Sequence, residues 1–276
     1  MDLPREHAAT LARIESGVSA DPRFTGLGAG GSLLSGAVDA YSDLDLVVVV
    51  ADEHHEAVMA ARKEIAASFG RLLAAFTGEH VGEPRVLICL YDAPLLHVDL
   101  KFLRAAELAD RIEDPRVVWE RDGALSRALA AAPAAPLEVD PRWIEDRFWI
   151  WVHYAATKLG RGELFEVVEF LAFLRARVLV PLAGAARGLE PRGVRRAEHA
   201  LPDLVPALVE TAPGYDPGLL GRAVLRCVEL YTALRDALPH PPAHQAEAAR
   251  AAVAYLEEVT AGQAGAARPG AGAAGR

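Results

Sequence analysis

Apolar and polar positions alternate most strictly between residues 95 and 102, Leu-Leu-His-Val-Asp-Leu-Lys-Phe. Leu96, Val98, Leu100 and Phe102 fall on one side, and His97, Asp99 and Lys101 on the other. That period of two predicts a strand with one buried face and one face that is either solvated or functional. A different pattern runs from Ser42-Asp43-Leu44-Asp45 into Leu46 and four consecutive valines. An unbroken β-branched run predicts a strand buried on both faces, at the centre of a sheet. Weaker strands are expected at 24–27 and 72–76, and a clearer one at 85–91.

Helical spacing predicts a leading helix over 5–17 and another over 54–69, where Val58, Ile65 and Phe69 share a side and Gly70 ends the run. An Ala/Pro stretch at 130–137 is the natural domain boundary. Beyond it helices are expected at 141–159, 163–180 (with Pro181 near its end), 193–201, 203–211, 217–238 and 245–259. The Ala/Gly-rich stretch 261–276 has no apolar period and is expected to be a disordered tail. The expected division is therefore 1–136, 137–260 and 261–276.

Composition narrows the classes of function. Hydrophobic residues make up 52% and charged residues 24% of the 276, as in a soluble globular protein. Of the net charge of −9, residues 1–136 carry most, with 13 Lys and Arg against 21 Asp and Glu. An acidic half argues against a nucleic-acid partner, which needs a basic stripe, and suits a cationic small substrate or a plain soluble enzyme. Cys89 and Cys227 form no disulfide framework and are read as buried hydrophobes. The polar opening stretch and the lack of a long apolar run lead to the expectation of a cytoplasmic protein with neither signal peptide nor membrane span.

The candidate chemistry begins with two carboxylates. Asp43 and Asp45 lie one pleat apart on the same side of their strand, where they repel each other unless a cation sits between them. If the strand of Asp99 is a neighbour, three carboxylates converge on one site. Oxygen ligands of that kind suit magnesium, which bridges a few carboxylates to substrate phosphates. The upstream Gly30-Gly31-Ser32 turn offers backbone N–H groups and a hydroxyl to a triphosphate. Each residue also has a plain structural role open to it: Asp43 as a cap or turn residue, Asp99 as a solvated strand residue, Ser32 as a turn residue.

Gly31-Ser32, a spacer containing Gly36, Asp43-Leu44-Asp45 and then Asp99 on a later strand together resemble the nucleotidyltransferase superfamily. The resemblance spans residues 24–104, and the helical half with its segment "YAATKLGRGELFEVVEFLAFLR" is similar to the antibiotic nucleotidyltransferases of the lincosamide and aminoglycoside type. It implies an α+β fold, a mixed-sheet catalytic domain followed by an all-helical bundle domain that covers substrate and nucleotide. It also implies transfer of a nucleoside monophosphate, AMP from ATP, to a hydroxyl of a small molecule, with release of pyrophosphate. Asp43 and Asp45 would hold two magnesium ions, Asp99 would share the second and accept the hydroxyl proton, and Gly31 and Ser32 would contact the phosphates. Lys158, the only lysine in 137–276, would be a phosphate-binding residue brought from the helical half. The position one turn earlier is Tyr154 where some relatives have an acid, which leaves Asp99 as the base; Glu166 and Glu169 are further residues that would face the substrate, or else lie on the helix surface.

Two rival readings come from other classes. Gly26, Gly28 and Gly31 match a dinucleotide-binding G-x-G-x-x-G, and Tyr154 with Lys158 matches the Tyr-x-x-x-Lys of short-chain dehydrogenases. Against it, Gly36 and Asp39 fall where a firm helix must follow, and the acid opens the next strand instead of ending it. The chain also contains no asparagine, which that family's motifs require, and no serine stands about a dozen residues before Tyr154. The other rival is a nucleotide-binding or protein-modifying (AMPylating) module on the nucleotidyltransferase plan.

Overall fold

In the computed structural model, residues 3–266 are described, and the chain divides into two compact units, Met1–Pro136 and Leu137–Arg276. The first is built on six strands: β1 (Phe24–Ala29), β2 (Leu44–Val50), β3 (Arg71–Gly78), β4 (Glu83–Asp92), β5 (Leu96–Arg104) and β6 (Arg116–Glu120). They form one sheet in the order β3-β4-β5-β2-β1-β6. β2 and β5 run parallel, and the other neighbours run antiparallel, so the sheet is mixed. The protein is thus α+β, a mixed sheet followed by a helical region.

The two strongest sequence signals become the two central strands. Leu44, Leu46 and Val48 of β2 lie beside Val98, Leu100 and Phe102 of β5, in register, and all six are buried. Each such side chain contributes roughly 1.5–3 kcal/mol by leaving water. Their covering is supplied by α1 (Arg5–Ala20), α3 (His55–Ala60) and α4 (Arg62–Ser68), through Leu11, Ile14, Val18, Val58, Ile65 and Phe69. The other face is closed at the far end of the strands, where Val49 and Leu103 meet Leu108 and Leu125 of α5 (Ala124–Ala131). At the near end of that face Asp45, Val47 and Asp99 remain half-buried, so β2 is buried on both sides only in its last residues.

Several expectations are corrected. The helix over 54–69 is broken: a 3-10 turn at Asp52–His54 leads into α3, and α4 begins after Ala61. β6, α5 and the short α2 (Ser32–Ser35) have no forecast, since Arg116–Glu120 alternates poorly and four residues are too few to show a helical period.

The second unit contains α6 (Pro141–Gly160), α7 (Leu164–Leu174), α8 (Val180–Ala185), α9 (Ala197–Ala200), α10 (Val205–Glu210), α11 (Pro217–Asp236) and α12 (Ala246–Ala266). The two helices of 20 residues start alike: Asp140 accepts from Trp143 N at 3.0 Å and Asp216 from Leu219 N at 2.8 Å, with Pro141 and Pro217 next in line. A proline without an N–H loses nothing in a first helical turn, and the aspartate satisfies an orphan donor. Phe148, Trp149 and Tyr231 form the aromatic centre of the core, with the Phe148 and Tyr231 rings stacked at 3.7 Å. Pro181 does not end a helix; α7 passes through a π-helical turn, Arg175–Leu179, into α8, where Pro181 sits in the first turn and is buried. The helix expected over 193–201 shrinks to α9. α12 continues through 261–266, the first part of the expected tail; the remainder, 267–276, lies outside the described residues. Among the described residues no helix is long and apolar enough to cross a membrane.

Candidate active site

The parallel pairing of β2 with β5 sets Leu44 opposite Val98 and therefore Asp45 opposite Asp99, on the face opposite α1, α3 and α4. Period-two alternation along both strands is what puts an acid at the same level on each. Asp43 precedes β2 by one residue and is half-buried, as are Asp45 and Asp99.

The glycine turn closes directly onto this pair. Gly30 N donates to the Asp45 carbonyl at 2.8 Å. Gly31 has φ +58° and ψ −133°, a region that in practice only glycine enters. A Cβ there would stand 1.8 Å from Asp45 Oδ2, so the turn requires glycine for space as well. Gly31 N donates to Glu113 Oε1 at 3.1 Å, bringing a further carboxylate to the turn from the connection between β5 and β6. Ser32 follows, buried, at the start of α2.

Asp99 Oδ1 lies 2.7 Å from His97 Nε2, two residues back on the same face. Further along, Lys101 reaches Glu83 Oε2 of β4 at 2.8 Å, and Arg85 grips the same carboxylate from Nε and Nη2, each at 2.7 Å. The Arg85 hydrogen bonds, ahead of those from Lys101, hold the Glu83 carboxyl down at about 2. Arg85 also reaches Glu107 at 3.2 Å, so this end of the face is a paired polar network.

Of the three carboxylates expected to converge, Asp45 and Asp99 stand in register on adjacent strands and Asp43 lies one residue before β2. Asp45 and Asp99 share a level, yet among the described residues no three His, Cys, Asp or Glu side chains stand together as a group able to hold a metal ion. Asp99 engages His97. The donor chemistry still suits magnesium, which takes one or two carboxylates and completes its shell with water and phosphate rather than a closed protein cage. Gly31 N–H already carries an anionic oxygen, that of Glu113, in the manner in which backbone N–H groups take phosphate.

Within the helical unit, Lys158 Nζ lies 2.5 Å from Glu163 and 3.7 Å from Glu166, over the Tyr154 ring at 5.2 Å. The Glu163 carboxylate beside it raises its pKa. Tyr154 donates to Glu166 at 3.1 Å. Lys158 is thus a paired cation, and Glu166 and Glu169 are exposed on their helix.

The dehydrogenase reading is overturned by the topology. Gly26 and Gly28 lie inside β1, where a Cβ added to Gly26 would stand 2.9 Å from Leu125 Cβ and one added to Gly28 3.0 Å from Pro115 Cβ. β1 then pairs antiparallel with β2, whereas a dinucleotide fold needs a parallel crossover after the glycine turn.

Glu113 is the site residue that sequence reasoning missed. It sits in Arg-Ile-Glu-Asp-Pro, with no periodicity and no fixed spacing from Gly31, 82 positions earlier. Only the return of the chain into β6, beside β1, delivers it to the turn.

No family model and no curated protein matches the chain. Among solved structures, a STING-associated CdnE c-di-GMP synthase from Capnocytophaga granulosa aligns over 95% of this chain and 81% of its own, at 10% identity and a TM-score of 0.32. A TM-score of that size does not establish a common fold.

Proposed function

We propose that the protein is a metal-dependent nucleotidyltransferase that moves a nucleoside monophosphate, AMP from ATP, onto a hydroxyl of a small molecule and releases pyrophosphate. The observation that carries this reading is the in-register pair Asp45 and Asp99 on adjacent parallel strands, with the Gly30-Gly31 turn fastened to Asp45. The sequence resemblance in Gly31-Ser32, Asp43-Leu44-Asp45 and Asp99 points the same way. Asp43 and Asp45 are the residues that would hold the magnesium ions, with Asp99 sharing one of them. When bound, magnesium neutralises the triphosphate and aligns it for in-line displacement.

The remaining roles belong to the chain's own groups. Gly31 N–H and the Ser32 hydroxyl receive phosphate oxygens. Asp99 accepts the proton of the acceptor hydroxyl as the new oxygen–phosphorus bond forms and the bond to pyrophosphate breaks. His97, 2.7 Å from Asp99 Oδ1, fixes the orientation of that base. Lys158, paired with Glu163, is the helical unit's candidate phosphate-binding cation.

The acceptor we propose is an antibiotic of the aminoglycoside or lincosamide type. The charge imbalance of residues 1–136 favours the polycationic aminoglycoside. The test incubates the protein with each NTP, magnesium and a panel of both antibiotic classes, following pyrophosphate release and the mass of the product. A product heavier by one nucleoside monophosphate is expected. NTP bound without pyrophosphate release from any acceptor would make the chain a binding module instead.

A further inference from the structure

Glu113 takes the Gly31 N–H that the nucleotide reading gives to a phosphate oxygen. Its Oε1 accepts from Gly31 N at 3.1 Å, and the same oxygen is 3.4 Å from the position a Cβ on Gly30 would take. The Asp45 carboxylate crowds the turn from the other side, since a Cβ on Gly31 would meet Asp45 Oδ2 at 1.8 Å. The two glycines are therefore flanked by two carboxylates, and one of those already uses the N–H that suits an anion.

We propose that Glu113 is a specificity residue that admits a triphosphate accompanied by its cation and rejects the bare anion; this rests on the nucleotide reading above. A phosphate oxygen and the Glu113 carboxylate compete for one N–H donor. Two like charges at that range repel strongly in a half-buried site, where the effective dielectric is well below that of water. A free triphosphate meets Glu113 and Asp45 with its full charge. A magnesium-bound triphosphate carries less charge and can displace Glu113 from Gly31. Glu113 is well placed for that exchange, because it belongs to a connection between strands and not to the sheet itself.

The test measures ATP binding to the full chain by calorimetry, in magnesium and in EDTA, for the unaltered protein and for Glu113→Gln. The glutamine keeps an oxygen that accepts from Gly31 N but has no charge. The unaltered protein should bind ATP at least about tenfold more weakly in EDTA than in magnesium. Glu113→Gln should strengthen metal-free binding about tenfold and strengthen binding in magnesium by clearly less, because the magnesium-bound triphosphate carries less charge. Glu113→Ala should move in the same direction, and thermal melting of both variants guards against a loss of fold. Unchanged metal-free binding in both variants overturns the proposal while leaving the nucleotide reading intact. Weaker binding in magnesium overturns it by making Glu113 a cation ligand. Absence of ATP binding in every protein and condition overturns this proposal together with the nucleotide reading.

Discussion

Gly31 combines two constraints that are separable by mutation. Its φ of +58° with ψ −133° costs a non-glycine residue roughly 1–3 kcal/mol, and a methyl group would collide with Asp45 Oδ2. Gly31→Ala should therefore shift Asp45 and lower pyrophosphate release by about 100-fold or more, since small displacements of a positioned group are costly in rate. Thermal melting of the same variant should fall by only a few degrees, and near-normal release would contradict the geometry assigned to the turn. Glu83 supplies a pH prediction. Arg85, with Lys101, holds its carboxyl at about 2 against an ordinary 4.5. A depressed carboxylate contributes stability that is present above pH 4.5 and is lost as pH falls towards 2. The contribution is on the order of 1–3 kcal/mol for this partly exposed group. Urea unfolding at pH 5 and pH 2.5 should reveal a smaller acid loss in Glu83→Gln than in the unaltered protein, and equal losses would count against the assignment.

Among the elements, α6, α11 and α12 are tied at one buried charge. Glu145 is fully enclosed and accepts from Trp149 Nε1 at 2.9 Å, from Gln245 N at 2.9 Å and from the Tyr231 hydroxyl, with Arg235 3.6 Å away. Burial pushes its carboxyl up, but these donors together hold it below the usual range. Glu145→Ala leaves three donors without their acceptor and the buried Arg235 with Asp236 as its remaining partner, and should destabilise the helical unit by about 3–5 kcal/mol in chemical unfolding. A loss under about 1 kcal/mol would mean that the cluster is incidental. Neither this cluster nor Glu113 is legible in sequence, because each depends on residues about a hundred positions apart meeting through tertiary packing. The central strands are legible, since Leu96–Phe102 and Leu44–Val50 each bury a periodic face. The in-register placement of Asp45 and Asp99 follows from that periodicity once the two strands are neighbours. The break at Ala61, the π-helical turn and the collapse of 193–201 to four residues escape a periodic reading. Ala-rich segments have high helix propensity, yet tertiary contacts decide where their helices stop.

At the scale of the whole molecule the charge is concentrated in the unit that carries the acids, 21 Asp and Glu against 13 Lys and Arg in residues 1–136. A polycationic acceptor should accordingly show an apparent KM that rises several-fold as salt screens that field, while a neutral acceptor's KM stays level. Equal salt dependence for both would remove the charge argument for an aminoglycoside-type acceptor. The central claim, that Asp45 belongs to a nucleotidyl-transfer site, is tested most directly by pyrophosphate release from ATP and magnesium in the presence of the antibiotic acceptor panel, comparing the unaltered protein with Asp45→Ala at equal thermal stability. The account predicts release by the unaltered protein and a loss of about a thousandfold or more in the variant. Release by Asp45→Ala at a rate near that of the unaltered protein would contradict it.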